Sequence, residues 1–267
     1  MCEFEPCRGS PLADPNLTDT QRRRFLAGTL TLPLVAILAD SKLLHAQAAK
    51  GEMIRLASGD QAYLARAQDP NAPVVILIHE WWGLNDHIKA MAQDISTHGF
   101  HGLAIDLFDG SVATTREQAM AQTRALKPPQ AHQTIAAWVS WARENGNGKI
   151  ATLGWCFGGG WSLQTALNHP IDGAVIYYGR LNATPEQLAN LSTPLMGHFG
   201  TLDQSINPTM VGQFEKQLRD ADKQEWMTSY WYTANHAFAN PTGGRYDEDD
   251  ANLAWARTHT FLASHLL

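Results

Sequence analysis

The chain has 267 residues, a net charge of −6, and 17% charged against 44% hydrophobic residues. That balance offers no basic surplus for nucleic acid or an anionic membrane surface, and no repeat or low-complexity tract is present. The one acidic run, Asp247-Glu248-Asp249-Asp250, suits the positive end of a helix dipole better than a calcium loop, because no spaced oxygen ligands surround it.

The N-terminus reads as a leader. Gln21-Arg22-Arg23-Arg24-Phe25-Leu26 is similar to the twin-arginine export motif. The moderately apolar stretch from Leu26 to Ala39, roughly 14 residues, is too short to span a bilayer but suits the apolar part of a leader. Ala46-Gln47-Ala48 then offers a small-x-small cleavage site. Residues 1–48 are expected to be removed on export to a bacterial periplasm, leaving a chain from Ala49 with no membrane attachment. The alternative is an N-terminal amphipathic or anchoring helix. Cleavage would remove Cys2 and Cys7 and leave Cys156 as the sole cysteine in an oxidising compartment.

Residues 49–267 suffice for a single domain with a sizeable core. Met53 to Ala57 and Gln61 to Arg66, joined by Ser58-Gly59-Asp60, predict a hairpin. The continuous apolar run Val74 to Ile78 predicts a strand buried on both faces. A helical pattern over Ile88 to Thr97 and a strand over Gly102 to Leu107 follow. Arg116 to Leu126 and Ala131 to Arg143 predict two helices separated by Pro128-Pro129. Lys149 to Leu153 predicts a strand and Trp161 to Leu167 a helix. Strands at Gly173 to Tyr178, Pro194 to Phe199 and Trp226 to Tyr232 alternate with helices at Pro185 to Ala189, Val211 to Arg219 and Asp247 to His265. Such alternation predicts an α/β fold, a mostly parallel sheet with helices on both faces. Sites in such sheets lie at the carboxyl ends of strands.

Three groups stand at those ends. Gly154-Trp155-Cys156-Phe157-Gly158-Gly159-Gly160 has the strand, sharp glycine-flanked turn and helix layout of a nucleophile elbow, with Cys156 at its apex. Asp203 follows the next-to-last strand and His236 the last. The order nucleophile, acid, histidine is that of the α/β-hydrolases. A histidine can take the thiol proton and pass it to a leaving alkoxide, and an acid behind it fixes the tautomer. Two backbone N–H groups should hold the oxyanion: that of Phe157, and one from the loop after His79. Glu80 ends the strand before that loop and would face the site. His79-Glu80 is not a zinc helix, since Gly83 occupies the second histidine position. His87, His98 and His101 show no ligand spacing, so no metal is expected.

With these residues assembled, the chain from about Met53 to its end resembles the dienelactone hydrolase family. The marks are the cysteine elbow, Glu80 ahead of Trp82-Gly83-Leu84-Asn85, Asp106-Leu107-Phe108, Tyr177-Tyr178-Gly179, Asp203 and His236-Ala237-Phe238. The resemblance implies a cofactor-free hydrolase of a small ester or lactone, working through an acyl-enzyme on Cys156; a monomer is expected. His236 would be acid and base, Asp203 its orienter, and the N–H groups of Trp81 and Phe157 the oxyanion hole. It also implies that Glu80 helps the thiol ionise when substrate binds. Two arginines that bind the substrate carboxylate in the family are missing: Asp109-Gly110-Ser111 follows Phe108, and Asn240 stands after the histidine. Arg180 and Arg245 are candidate replacements, or merely solvated surface arginines. Trp81, Trp82, Phe108 and Tyr178 are candidates for a more apolar pocket. Broader readings are a carboxylesterase, thioesterase or cysteine peptidase of the same fold, and a binding protein with a relict triad. A redox-sensing cysteine would want a resolving partner, which the mature chain lacks.

Overall fold

The structure, a computed structural model, describes residues 41–267; the twin-arginine motif, the apolar stretch after it, Cys2 and Cys7 lie outside the described residues. Eight strands form one sheet: β1 (Glu52–Arg55), β2 (Gln61–Ala65), β3 (Val74–Ile78), β4 (His101–Ile105), β5 (Ile150–Trp155), β6 (Gly173–Tyr177), β7 (Leu195–Gly200) and β8 (Met227–Tyr232). Their order across the sheet is β1-β2-β4-β3-β5-β6-β7-β8. The hairpin β1–β2 and the β2–β4 pair are antiparallel, and every later pair is parallel.

The helices among the described residues are α1 (Ser41–Ala48), α2 (Asp86–Thr97), α3 (Arg116–Ala125), α4 (Pro128–Glu144), α5 (Phe157–Asn168), α6 (Pro185–Ala189), α7 (Pro208–Asp220) and α8 (Glu248–Leu266). Side chains alternate across a strand, so each buried strand feeds two cores. Val75 and Leu77 of β3 join Ile88, Met91 and Ile95 of α2 and Phe261 and Leu262 of α8 on one face. Val74, Ile76 and Ile78 join Ile135, Trp138 and Val139 of α4, Leu163 of α5 and Phe214 of α7 on the other. The continuous apolar run of β3 is thus used on both sides. None of the helices among the described residues is long and apolar enough to cross a membrane.

Two local expectations are revised. Pro128 and Pro129 do not separate two helices but begin the second one. Proline is at home there, since the first-turn N–H groups have no intrahelical partner. The elbow helix begins at Phe157, so it takes in Gly158, Gly159 and Gly160. Close packing compels Gly158 and, before the turn, Gly154: a Cβ on Gly158 would meet the Ile78 carbonyl oxygen at 2.0 Å, and one on Gly154 the Gly158 carbonyl oxygen at 2.1 Å. The segment Ala46-Gln47-Ala48 forms the end of α1, with Gln47 and Ala48 buried, and His45 Nδ1 bonds Asp86 Oδ2 at 2.8 Å at the start of α2.

Candidate active site

Cys156 lies between β5 and α5 with φ 52° and ψ −110°. A cysteine in the left-handed half of the map is strained. Two bonds hold it there: its N–H donates to the Tyr177 carbonyl at 2.9 Å, and its carbonyl accepts from Gly160 N at 3.2 Å. The turn leaves the thiol half-buried at the amino end of α5. Five non-glycine residues among those described have positive φ, and three border this site: Cys156, Tyr178 and Ala237.

The structure brings the three strand-end groups together. Cys156 Sγ lies 3.1 Å from His236 Nε2, and His236 Nδ1 donates to Asp203 Oδ2 at 2.7 Å. The other Asp203 oxygen accepts from the N–H groups of Ser205 at 2.6 Å and Ile206 at 2.9 Å. Burial pushes the Asp203 carboxyl up, but the bonds from His236, Ile206 and Ser205 outweigh it and hold it below its ordinary range. Burial disfavours charge on His236, yet Asp203 and Cys156 outweigh it and push the imidazole up to about 10. A carboxylate on one side and a sulfur on the other favour the protonated ring.

Glu80 is buried beside this group, and its Oε2 accepts a short hydrogen bond from Asn240 Nδ2. Asn240 is itself oriented, because its Oδ1 accepts from Thr242 N at 2.9 Å and Thr242 Oγ1 at 2.7 Å. Burial pushes Glu80 up to about 7, against the opposing charge of His236, the Asn240 bond and the charge of Arg245. Asn240 entered the sequence argument only as a missing arginine; its donor role depends on a contact across 160 residues.

Two further residues order the loop that carries Glu80 and Trp81. The fully buried His79 donates from Nδ1 to the Glu80 carbonyl at 2.6 Å and accepts at Nε2 from Leu107 N at 3.1 Å. Both bonds together define its neutral tautomer, and burial keeps its pKa low. Gln122, on α3, donates from Nε2 to the Trp81 carbonyl at 2.6 Å. Asn85 ends the loop by accepting from Ile88 N at 3.2 Å, capping α2. Among the described residues, neither Trp81 N–H nor Phe157 N–H donates to a main-chain carbonyl in the turns and loops.

The pocket candidates separate. Tyr178 is fully buried, its ring 5.1 Å from His236, and the charges of Glu80 and Cys156 add to burial in raising its hydroxyl pKa. Phe108 is an inner wall, packed on His79 at 4.8 Å and on Phe157 at 5.2 Å. Trp81 and Trp82 meet edge-on at 5.2 Å and are both half-buried. Arg180 and Arg245 are exposed and form no ion pair among the described residues.

A mostly parallel eight-stranded sheet with an elbow turn, an acid and a histidine at its strand ends defines an α/β-hydrolase fold. Solved structures agree. A dienelactone hydrolase-like promiscuous phosphotriesterase from metagenomic libraries superposes with TM-score 0.73 at 20% identity, covering 81% of this chain and 98% of that one. A thermophilic esterase from Thermogutta terrifontis gives TM-score 0.60 at 15% identity, covering 81% and 95%. Residues 61–266 match the dienelactone hydrolase family, and the chain belongs to it. Among its relatives, carboxymethylenebutenolidase 1 of Cupriavidus pinatubonensis is 26% identical over 214 residues, covering 76% of this chain and 90% of the relative. The carboxymethylenebutenolidase of Pseudomonas sp. strain P51 is also 26% identical, over 218 residues, covering 76% and 90%.

Proposed function

We propose that the protein hydrolyses a small, uncharged ester or lactone through a Cys156–His236–Asp203 triad and an acyl-enzyme. The observation that carries this reading is the unbroken line from Cys156 Sγ to His236 Nε2 at 3.1 Å and from His236 Nδ1 to Asp203 Oδ2 at 2.7 Å. In the proposed reaction His236 takes the Cys156 thiol proton as Sγ attacks the carbonyl carbon. The oxyanion takes hydrogen bonds from Trp81 N–H and Phe157 N–H. His236 then gives its proton to the leaving alkoxide, which leaves Cys156 as a thioester. A water, deprotonated by His236, attacks that thioester and releases the acid and the thiol. Asp203 stays ionised and holds the ring in the tautomer both steps need. Glu80, through its own charge, tunes the proton on His236.

Gln122 is assigned a positioning role, since it reaches the oxyanion loop and not the reacting atoms. Gln122→Leu is expected to lower kcat roughly tenfold with KM little changed, less than the roughly 10²–10³ that loss of an oxyanion donor itself costs. Gln122→Glu, which cannot donate, should behave the same way. Equal losses in kcat and gains in KM would assign Gln122 to substrate binding instead.

The substrate preference rests on what surrounds Glu80. Asn240 donates a neutral amide there, and both candidate arginines are exposed. Among the described residues, a carboxylate-bearing lactone would meet no arginine or lysine buried beside Glu80. Steady-state assays on neutral aryl esters, neutral lactones and a carboxylate-bearing dienelactone test this. Higher kcat/KM on the neutral compounds is expected. A preference for the dienelactone that falls in Arg245→Gln or Arg180→Gln would identify an anion clamp and overturn it. Residues 1–48 are further proposed to be an export leader, with the enzyme acting in the periplasm as a monomer. Cell fractionation with N-terminal sequencing tests this, and an intact N-terminus on cytoplasmic protein would refute it.

A further inference from the structure

We propose that Asp94, His98 and His259 form a binding site for one late first-row divalent cation, of which zinc is the reference, clasping α2 to α8. The site lies outside the triad and shares no residue with it. Asp94 and His98 are four residues apart at the carboxyl end of α2, so they share a face. Trp255 and His259, also four apart, face them from α8. His259 Nε2 lies 3.1 Å from Asp94 Oδ2, and His98 Nδ1 lies 3.6 Å from the same oxygen. One donor atom from each of the three residues lies within 4.8 Å of the other two. Tetrahedral zinc with bonds of about 2.0–2.1 Å needs donors roughly 3.3 Å apart. The His259 contact to Asp94 is already close to that spacing, and ligation by His98 requires its ring to turn, because its Nδ1 donates to the Asp94 main-chain carbonyl at 2.9 Å.

Three observations distinguish this group from a helix-to-helix hydrogen bond. A second imidazole, His98, lies against the His259 ring that already joins α8 to Asp94, with centroids 3.9 Å apart. Trp255 Nε1 donates to Asp94 Oδ2 at 2.9 Å, the kind of outer contact that orients a ligating carboxylate. The buried His259 Nδ1 has no partner among the described residues, so the contact of Nε2 to Asp94 Oδ2 is the ring's one hydrogen bond there. Access is available: the side chains of Asp94 and His98 are 13% and 17% exposed, and that of His259 is 6% exposed. A cation can enter from the His98 side and keep water as its fourth ligand. Two nitrogens and one carboxylate oxygen suit zinc, cobalt or nickel, and do not suit magnesium or calcium, which prefer oxygen alone. Spacing along the chain could not reveal the site, because His259 lies 161 residues after His98.

The experiment titrates tag-free, chelator-treated protein with ZnCl2 by calorimetry and follows Tm and the visible spectrum with CoCl2. Wild type, Cys156→Ala, His98→Gln and Asp94→Asn are compared. His98 and Asp94 are chosen because the deeply buried His259 is the variant that risks misfolding. One zinc per chain is expected in wild type and in Cys156→Ala, with a raised Tm and a visible cobalt band. Affinity should fall more than about 100-fold in His98→Gln and Asp94→Asn, since loss of a mere outer contact already costs about 10–100-fold. No zinc binding by the wild type overturns the proposal. So does binding that is unchanged in His98→Gln, or binding lost only in Cys156→Ala, which would locate the ion at the triad.

Discussion

Replacing Cys156 by alanine is expected to lower kcat on every hydrolysed ester by at least about four orders of magnitude, because the attacking atom of a concerted unit is gone. The fold should survive. Alanine keeps the Cβ that already sits at φ 52°, so the strained turn is no more strained, and the two backbone bonds at residue 156 remain. Asp203→Asn should cost a comparable factor, about 10⁴, by presenting the wrong tautomer of His236. The readouts are the burst of an aryl ester and the intact mass of the acylated protein, with circular dichroism as the folding control. Unimpaired turnover in Cys156→Ala would refute the triad. Turnover lost without any acyl adduct in the wild type would refute the acyl-enzyme while leaving Cys156 essential.

Glu80→Gln is expected to change how stability depends on pH. Burial raises the Glu80 pKa to about 7 in the folded protein, against an ordinary value of 4.5. Between these values the folded chain keeps a proton that the unfolded chain releases, so the contribution is fully present below pH 4.5 and is lost as pH rises through 7. At pH 8 the native state holds a buried carboxylate whose bonded partner is the neutral Asn240 amide. Glutamine is nearly isosteric, can accept the same bond from Asn240, and carries no charge to desolvate. Urea unfolding should therefore show the variant gaining about 2–3 kcal/mol on the wild type between pH 5 and pH 8, with the variant the more stable at pH 8. Titrating groups remote from Glu80 are common to both proteins and cancel in the difference, and His236, which is coupled to Glu80, titrates above this window. Parallel stability curves would show that Glu80 is ionised at both pH values.

Much of this arrangement was legible along the chain. The run Val74 to Ile78 announced a strand buried on both faces, because an apolar run without alternation has no polar face to show to water. The elbow was legible because its glycines answer a steric demand: Gly154 and Gly158 lie where a Cβ would strike a carbonyl. Asp203 and His236 could be placed because strand ends are where a parallel sheet exposes side chains to a common crevice. Tertiary packing decided the rest. Gln122 reaches the Trp81 carbonyl from a helix 41 residues on, and nothing in its local sequence marks it. Arg245, a candidate replacement for a missing arginine, is exposed, and Asn240 bonds Glu80.

The amino-acid sequence by itself therefore determined the α/β architecture, the elbow and the types of group at its strand ends, since periodicity, turn chemistry and chain order are local or one-dimensional. Which atoms face one another was decided only in three dimensions. Cys156 and His236 are 80 residues apart, Glu80 and Asn240 are 160 apart, and Asp94 and His259 are 165 apart. The energetics of each pair depend on distance and burial, neither of which spacing along the chain encodes. That is why a thiol could be read from the elbow, while the neutral partner of Glu80 and the histidine pair between α2 and α8 emerged only from the packed molecule.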